Sequence, residues 1–386
     1  MGNTTELHRV YVLKKSFKMK LSYWEHKEWF QSVDVTIVGS GIVGLSCALS
    51  LKERYPKAKI LVLEKGILPQ GASSKNAGFA CFGSLSELID DLKTHTEEEV
   101  FQLVQKRWEG LKLLRSNLGD SVIDFQPNKG FELFQDADFY ERCNGQRTQI
   151  NELLAPLFKE EVFLESSNTF GFEKIAPNYM VNQFEGQIDT GKMIAALLLK
   201  VQKLGVKILN STTVESYSES TENVVVKTNL NSFTTKKLCI ATNGFAKQLL
   251  PENVQPARAQ VLITKPIKDL HIKGTFHLDK GYYYFRNIDN RILFGGGRNL
   301  DFKGEETTEF GETARIQNAL ESILKETILP NTTFEIDHTW SGIMGVGSQK
   351  KPVVKPISDH VFCGVRLGGM GVAIGSLVGK ELAAFV

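Results

Sequence analysis

The sequence predicts a mixed α/β (α+β) fold, a Rossmann-like domain interleaved with an antiparallel sheet, and three observations carry that prediction. An apolar strand, a glycine turn, a helix and a second apolar strand follow one another between Asp34 and Gly66, the order of a right-handed βαβ crossover. Stretches rich in aromatic and β-branched residues fill 259–340 and read as antiparallel strands. From Val361 onward the chain again reads strand, glycine loop, helix. Nucleotide-type folding therefore opens and closes the chain around β-rich inserts.

The elements follow in order. Residues 35–38 form a short continuous apolar run, as in a strand covered on both faces. Ile42, Leu45 and Leu49 then fall at helical spacing, with a polar end at Lys52, Glu53 and Arg54, and 60–63 is a second buried strand. Helical character runs from about 86 to 118, strand character from 131 to 134, and helical character again from 139 to 158. "IDTGKMIAALLLKVQKLG" is an amphipathic helix ending at Gly205, and strands near 206–209, 224–226 and 238–241 restore parallel-sheet character. "AQVLITKP", "GYYYFRN", "RILFGGG" and "TFEIDHTW" are the antiparallel strands, joined by one helix near 312–324.

Composition excludes several function classes. The 386 residues suffice for two domains or one interwoven pair. A net charge of +2 gives no field strong enough to make nucleic acid or a membrane surface the main partner. Five cysteines without a CxxC spacing, and seven histidines without HxH or HExxH, argue against a disulfide framework and against a metal. Reduced thiols in a cytoplasmic protein are expected. No window approaches the roughly 18 apolar residues of a membrane span, and the first thirty positions lack the centre of a signal peptide. Residues 1–33 read as an N-terminal extension, with Met19 as the expected natural start.

Gly39-Ser-Gly-Ile-Val-Gly44 fits GxGxxG. Gly39 permits the tight turn, Gly41 lets backbone approach a pyrophosphate, and Gly44 lets helix and strand pack closely. Amides at the helix N-terminus, including those of Ile42 and Val43, face the phosphates with the positive end of the dipole. Glu64, twenty residues after Gly44, ends the second strand where a carboxylate accepts hydrogen bonds from ribose hydroxyls, with Lys65 beside it. A dinucleotide follows, and to this point NAD and FAD are both allowed. The next stretch, "GASSKNAGFA", separates them. Instead of a further βα unit, it lays Ser73, Ser74, Asn76, Ala77 and Gly78 where hydroxyls and amides line a pyrophosphate and a flat ring rests on backbone.

Here the sequence resembles the D-amino-acid oxidase, glycine oxidase and sarcosine oxidase family of flavoenzymes, in which a "GAS..NAG" segment after the acidic residue touches FAD. The resemblance runs over most of the chain from about Asp34. "CIATNGF" resembles the family's strand-to-glycine turn back to the cofactor, which implies contacts from Ala241, Thr242 and Gly244, and Val214 sits where a family residue packs by the adenine. "YYYFRNIDNRILFGGGR" resembles the substrate-domain hairpin, and "WSGIMGVGSQKKPVV" the segment leading back to the cofactor domain. "RLGGMGVAIGSLVGKELA" resembles the closing loop and helix, which implies Gly368, Gly369, Met370 and Gly371 near the flavin pyrimidine edge. The resemblance implies a discontinuous FAD-binding domain at 34–85, 185–258 and 341–386, and a substrate domain at 86–184 and 259–340.

Amino-acid-oxidising relatives place an arginine two residues after the glycine of WxG, where this chain has Met344. Arg366 is the favoured substrate or flavin contact in its stead. Arg286 and Arg298 are weaker candidates, since an arginine in an antiparallel strand most often faces water. Tyr282 and Tyr284 share one face of their strand and are candidates for lining an aromatic pocket. The 341–351 segment, where sarcosine oxidases carry the cysteine that binds flavin, has none, so the resemblance implies FAD held non-covalently. Cys81 reads as a small buried residue. The expected activity is dehydrogenation of the C–N bond of a small amine or amino acid, with hydride passing to flavin N5 and oxygen or an electron carrier as acceptor. A 2-hydroxy-acid dehydrogenase and a flavin-binding protein without turnover are the alternatives.

Overall fold

The structure is a computed structural model and describes residues 20–386; Met19 and the question of the natural start lie outside the described residues. Two eight-stranded sheets organise the chain. The first carries, in spatial order, Val353–Pro356, Val361–Val365, Ser232–Ile240, Val33–Val38, Ile60–Leu63 and Lys207–Leu209, with Val224–Thr228 and Val214–Glu219 branching from Ser232–Ile240. The opening strand Val33–Val38 is central and pairs in parallel on both sides, with Val38 opposite Leu63 and Ile240. Central position explains its composition: both faces are covered, so every position from Val35 to Val38 is buried and apolar except Thr36.

The glycine turn then feeds the helix Ile42–Arg54, which packs with Thr190–Lys203 and the closing helix Gly371–Ala383 over one face of this sheet. Leu45, Leu49, Leu197 and Leu382 are fully buried there, each stabilising the fold by about 1.5–3 kcal/mol. The opening and closing helices nearly touch: a Cβ at Gly379 would lie 2.6 Å from the Ser46 Cβ and the Val43 carbonyl, and one at Gly375 would lie 2.7 Å from Ile42 Cγ2. The other face is covered by an apolar cluster that includes Val214, Val224, Val226 and Phe233.

The second sheet runs Ile336–Val346, Gln255–Thr264, Arg291–Gly296, Tyr283–Ile288, Thr275–Leu278, Gly130–Leu133, Asn178–Asn182 and Phe163–Ser167. All its pairs are antiparallel except Gly130–Leu133 with Thr275–Leu278. Its core is aromatic, with Phe276 stacked on Phe285 at 4.5 Å and on Phe131 at 5.0 Å.

Several expectations need correction. The strand at 224–228 does not extend the parallel sheet. It forms an antiparallel meander with its neighbours, because turns of only a few residues join the three strands. The helical stretch 86–118 is two helices, Leu85–Asp91 and Glu97–Leu118, broken where Thr96 starts a new capping box with Glu99. The stretch 139–158 is likewise two helices, Ala137–Asn144 and Arg147–Phe158. Boundaries expected at 258/259 and 340/341 cut through two strands of the second sheet, Gln255–Thr264 and Ile336–Val346, which pair with each other along their length. All five cysteines are buried and free. Among the described residues no helix is long and apolar enough to cross a membrane.

Candidate functional site

An elongated cavity of about 580 Å³ runs from the C-terminal ends of the parallel strands to the face of the second sheet, the usual ligand position in open α/β sheets. Gly39, Gly41, Ile42 and Val43 line its floor. Gly39 has φ +104°, and a Cβ on Gly44 would sit 2.0 Å from the Gly39 carbonyl, so both positions need glycine. The Ser73 hydroxyl accepts the Ile42 amide at 2.9 Å, which leaves its proton free to donate into the cavity at the positive end of the opening helix.

Glu64 anchors one end. Its carboxylate accepts from the Ser40 amide (3.1 Å), the Ser40 hydroxyl (2.8 Å) and the Gly66 amide (3.0 Å). A carboxylate has about four acceptor positions, so it is held rigid with capacity left for a ribose hydroxyl. Lys65 lies 3.4 Å above the Phe245 ring, and burial lowers its pKa. Thr212, Thr213, Val214, Gln248 and Leu249 complete this end. Ala241 and Thr242 line the cavity, and the Thr242 hydroxyl is buried without a partner among the described residues.

Along the loop, Asn76 donates to the Ala72 and Ser73 carbonyls and accepts from the Gly78 amide and the Thr190 hydroxyl. It shapes the loop rather than offering its own side chain, although it and Ala77 line the cavity. Gly368, Gly369, Met370 and Gly371 close the groove above the N-terminus of the last helix.

The far end is aromatic. Phe79 meets His277 and Tyr284 edge-on at 5.2 and 5.6 Å, and Tyr282, Tyr284, Cys81, Arg298 and Met344 share the wall. His277 lies 3.2 Å from the buried Glu185. Burial alone would lower the imidazole pKa, but Glu185, with Glu87 and Glu132 beyond it, outweighs burial and pushes it up to about 9. Burial pushes the Cys81 thiol well above its ordinary range. The Cys81, Glu185 and His277 ligand atoms lie within 4.8 Å of one another, and the His277–Glu185 ion pair accounts for two of the three.

Six expected site residues lie off the cavity. Gly44 packs beneath Gly39, as its role requires. The Ser74 hydroxyl donates to the Pro69 and Gly71 carbonyls. Gly78 packs on the Ile188 carbonyl and the Arg286 guanidinium, and Gly244 on the Met344 carbonyl. Arg286 is 3 % exposed beneath Gly78, where burial pulls its pKa down to about 10. Arg366 has φ +64°, and its guanidinium donates to the Asn253 and Lys351 carbonyls at 3.2 and 3.1 Å. It clamps two loops and touches nothing in the cavity. Arg298, ranked lower, lines the cavity because it is not in the strand at all: Gly296 and Gly297, both at positive φ, turn the chain before it. Phe79, His277 and Glu185 were missed by sequence reasoning. Phe79 continues the "GASSKNAG" loop and was within its reach, whereas His277 is identified only by its cross-strand pairing with Tyr284.

A family model described as FAD dependent oxidoreductase (DAO) matches residues 34–385. The chain belongs to the DAO family. It is 22% identical to a probable oxidoreductase OrdL of Haemophilus influenzae, over 92% of this chain and 82% of the relative. It is 24% identical to the gamma-glutamylputrescine oxidoreductase of Escherichia coli, over 91% and 82%. Its fold matches a glycine oxidase from Geobacillus kaustophilus with TM-score 0.74 and 19% identity, covering 91% of this chain and 94% of that one. An L-proline dehydrogenase from P. horikoshii matches with TM-score 0.73 and 18% identity, covering 91% and 92%.

This DAO-family chain is thus an FAD-dependent oxidoreductase, and its groove fits the cofactor. Glu64 keeps acceptor capacity for a ribose, and the Ser73 hydroxyl, which accepts the Ile42 amide, keeps a proton to donate to a phosphate. Glu64 and Lys65 would hold the adenosine side, Ser73 and the amides of the opening helix the pyrophosphate, and the loop at 368–371 the ring end.

Proposed function

We propose that this flavoenzyme oxidises the C–N bond of a small amine or amino acid, with FAD held non-covalently by a discontinuous cofactor domain and the second sheet forming the substrate side. Bound FAD supplies the hydride acceptor. The chain's own residues bind and orient. Phe79, Tyr282, Tyr284 and Met344 line the chamber in which a small substrate would be held against the ring end. The relatives named for glycine, proline and gamma-glutamylputrescine support the reading.

The observation that carries it is the pairing of His277 with Glu185. Oxidation of a 2-hydroxy acid needs a group that takes the hydroxyl proton, whereas a neutral amine gives up hydride without one. His277 is the histidine of the chamber wall, and its Nε2 is engaged by the buried Glu185 at 3.2 Å rather than free to take a substrate proton. The chamber therefore favours C–N over C–O oxidation. Anaerobic mixing of the yellow protein with panels of amines, amino acids and 2-hydroxy acids tests this. Bleaching of the flavin band by amines or amino acids is expected, and bleaching by hydroxy acids alone would reverse the assignment.

A further inference from the structure

Three buried groups of metal-ligating chemistry meet at the chamber wall. The Cys81 thiol, the Glu185 carboxylate and the His277 imidazole are all buried, and their ligand atoms lie within 4.8 Å of one another. The fold itself brings them together. The short strands Phe79–Ala80 and Gly186–Gln187 pair antiparallel, with Ala80 opposite Gly186, so the next step of that ladder sets Cys81 across from Glu185. His277 arrives from the second sheet, where Thr275–Leu278 is paired on both sides. Each ligand comes from a different segment, which is why no short sequence spacing marks the cluster.

The separations suit a tetrahedral centre. His277 Nε2 and Glu185 Oε2 are 3.2 Å apart, and two ligands each about 2.0–2.1 Å from a zinc ion stand roughly 3.3 Å from one another. The Cys81 sulfur, within 4.8 Å of both, has no more than about 1.3 Å to move to reach the roughly 3.5 Å expected of a thiolate ligand. Outer contacts aim the carboxylate: Asn182 donates to it at 3.3 Å and the Thr275 hydroxyl at 3.4 Å. Gly130 leaves it room, since a Cβ there would overlap the carboxylate. Charge balances as well. A thiolate and a carboxylate match the two positive charges of a divalent cation and the imidazole is neutral, so the filled site buries no net charge. The thiol proton leaves to solvent, and the metal takes the place of the Nε2 proton. Burial keeps the metal-free Cys81 thiol protonated, and a coordinated cation reverses that.

We infer that Cys81, Glu185 and His277 form a binding site for a borderline-soft divalent cation, zinc foremost, at the chamber wall. A thiolate and an imidazole select against magnesium and calcium, which take oxygen ligands. Cys81, His277 and Met370 line the cavity, so the cation enters from the chamber. The Met370 thioether, 4.0 Å from the Cys81 sulfur, is at hand as a fourth, soft ligand. An occupied site staples the Phe79–Ala80 ladder to the second sheet. The inference goes beyond the C–N oxidation reading and does not depend on it.

The test uses the FAD-loaded protein, its C81A and H277N variants, and zinc chloride alone. Equilibrium dialysis at mildly alkaline pH, followed by metal analysis, is expected to give one zinc per wild-type chain, with magnesium in excess failing to compete. Each variant is expected to weaken zinc by about 100-fold or more, beyond the 10- to 100-fold that follows loss of an outer contact. The flavin absorption band shows that each variant is folded and loaded. X-ray absorption at the zinc edge of the wild-type protein needs no variant, and is expected to show sulfur at about 2.3 Å with nitrogen and oxygen at about 2.0–2.1 Å. A wild-type protein that binds no zinc overturns the inference. So does equal zinc affinity in wild type and both variants, or a zinc edge spectrum without sulfur.

Discussion

Replacing Glu185 with glutamine should remove a pH-dependent share of the stability. His277 and Glu185 are both buried and lie 3.2 Å apart, and the imidazole pKa stands at about 9 against an ordinary 6.5. That difference corresponds to about 3 kcal/mol. A raised histidine pKa stabilises the fold fully below pH 6.5, and the contribution is lost as pH rises through 9. In E185Q the opposing carboxylate is gone, burial dominates, and the imidazole is neutral at pH 7. Unfolding midpoints in urea, measured from pH 6 to 10 with FAD held in excess, should show a decline in wild type that E185Q lacks. The two proteins should differ most at the acid end. Parallel pH profiles would refute the reasoning, since any other titrating group contributes equally to both.

Other outcomes follow from the same geometry. Gly44→Ala should lose FAD on gel filtration and lower the melting temperature, because its Cβ would meet a backbone carbonyl at 2.0 Å. Arg366→Ala should retain the wild-type rate of flavin reduction but lose about 1–3 kcal/mol in urea unfolding, as the Asn253 and Lys351 carbonyls lose their donor. Glu64→Ala should raise the Kd for FAD at least tenfold in a fluorescence titration, because it removes the ribose acceptor and frees the Ser40 and Gly66 amides together.

The cofactor half of the site is legible in the sequence because its physics is local. Gly39 to Gly44, Glu64 and the loop at 71–78 lie within forty residues, and each spacing has one geometric meaning. The substrate half is not local. His277 meets Glu185 across 92 positions, and the strand Thr275–Leu278 finds its parallel partner at Gly130–Leu133, pairings that no short window contains. Arginines were the least legible residues. Arg286, Arg298 and Arg366 are chemically identical on the page, and what separates them is strand register for the first, a pair of glycines for the second and a left-handed backbone for the third.

The close contact between the opening and closing helices bears on how the protein is made. Ile42 to Cys47 is made long before Gly375 and Gly379, which supply the surface it must seat against. A nascent chain that stops short of Gly371 has the glycine floor but neither its supporting helix nor the loop at 368–371. Firm retention of the flavin should therefore require a chain that extends through Gly371–Ala383.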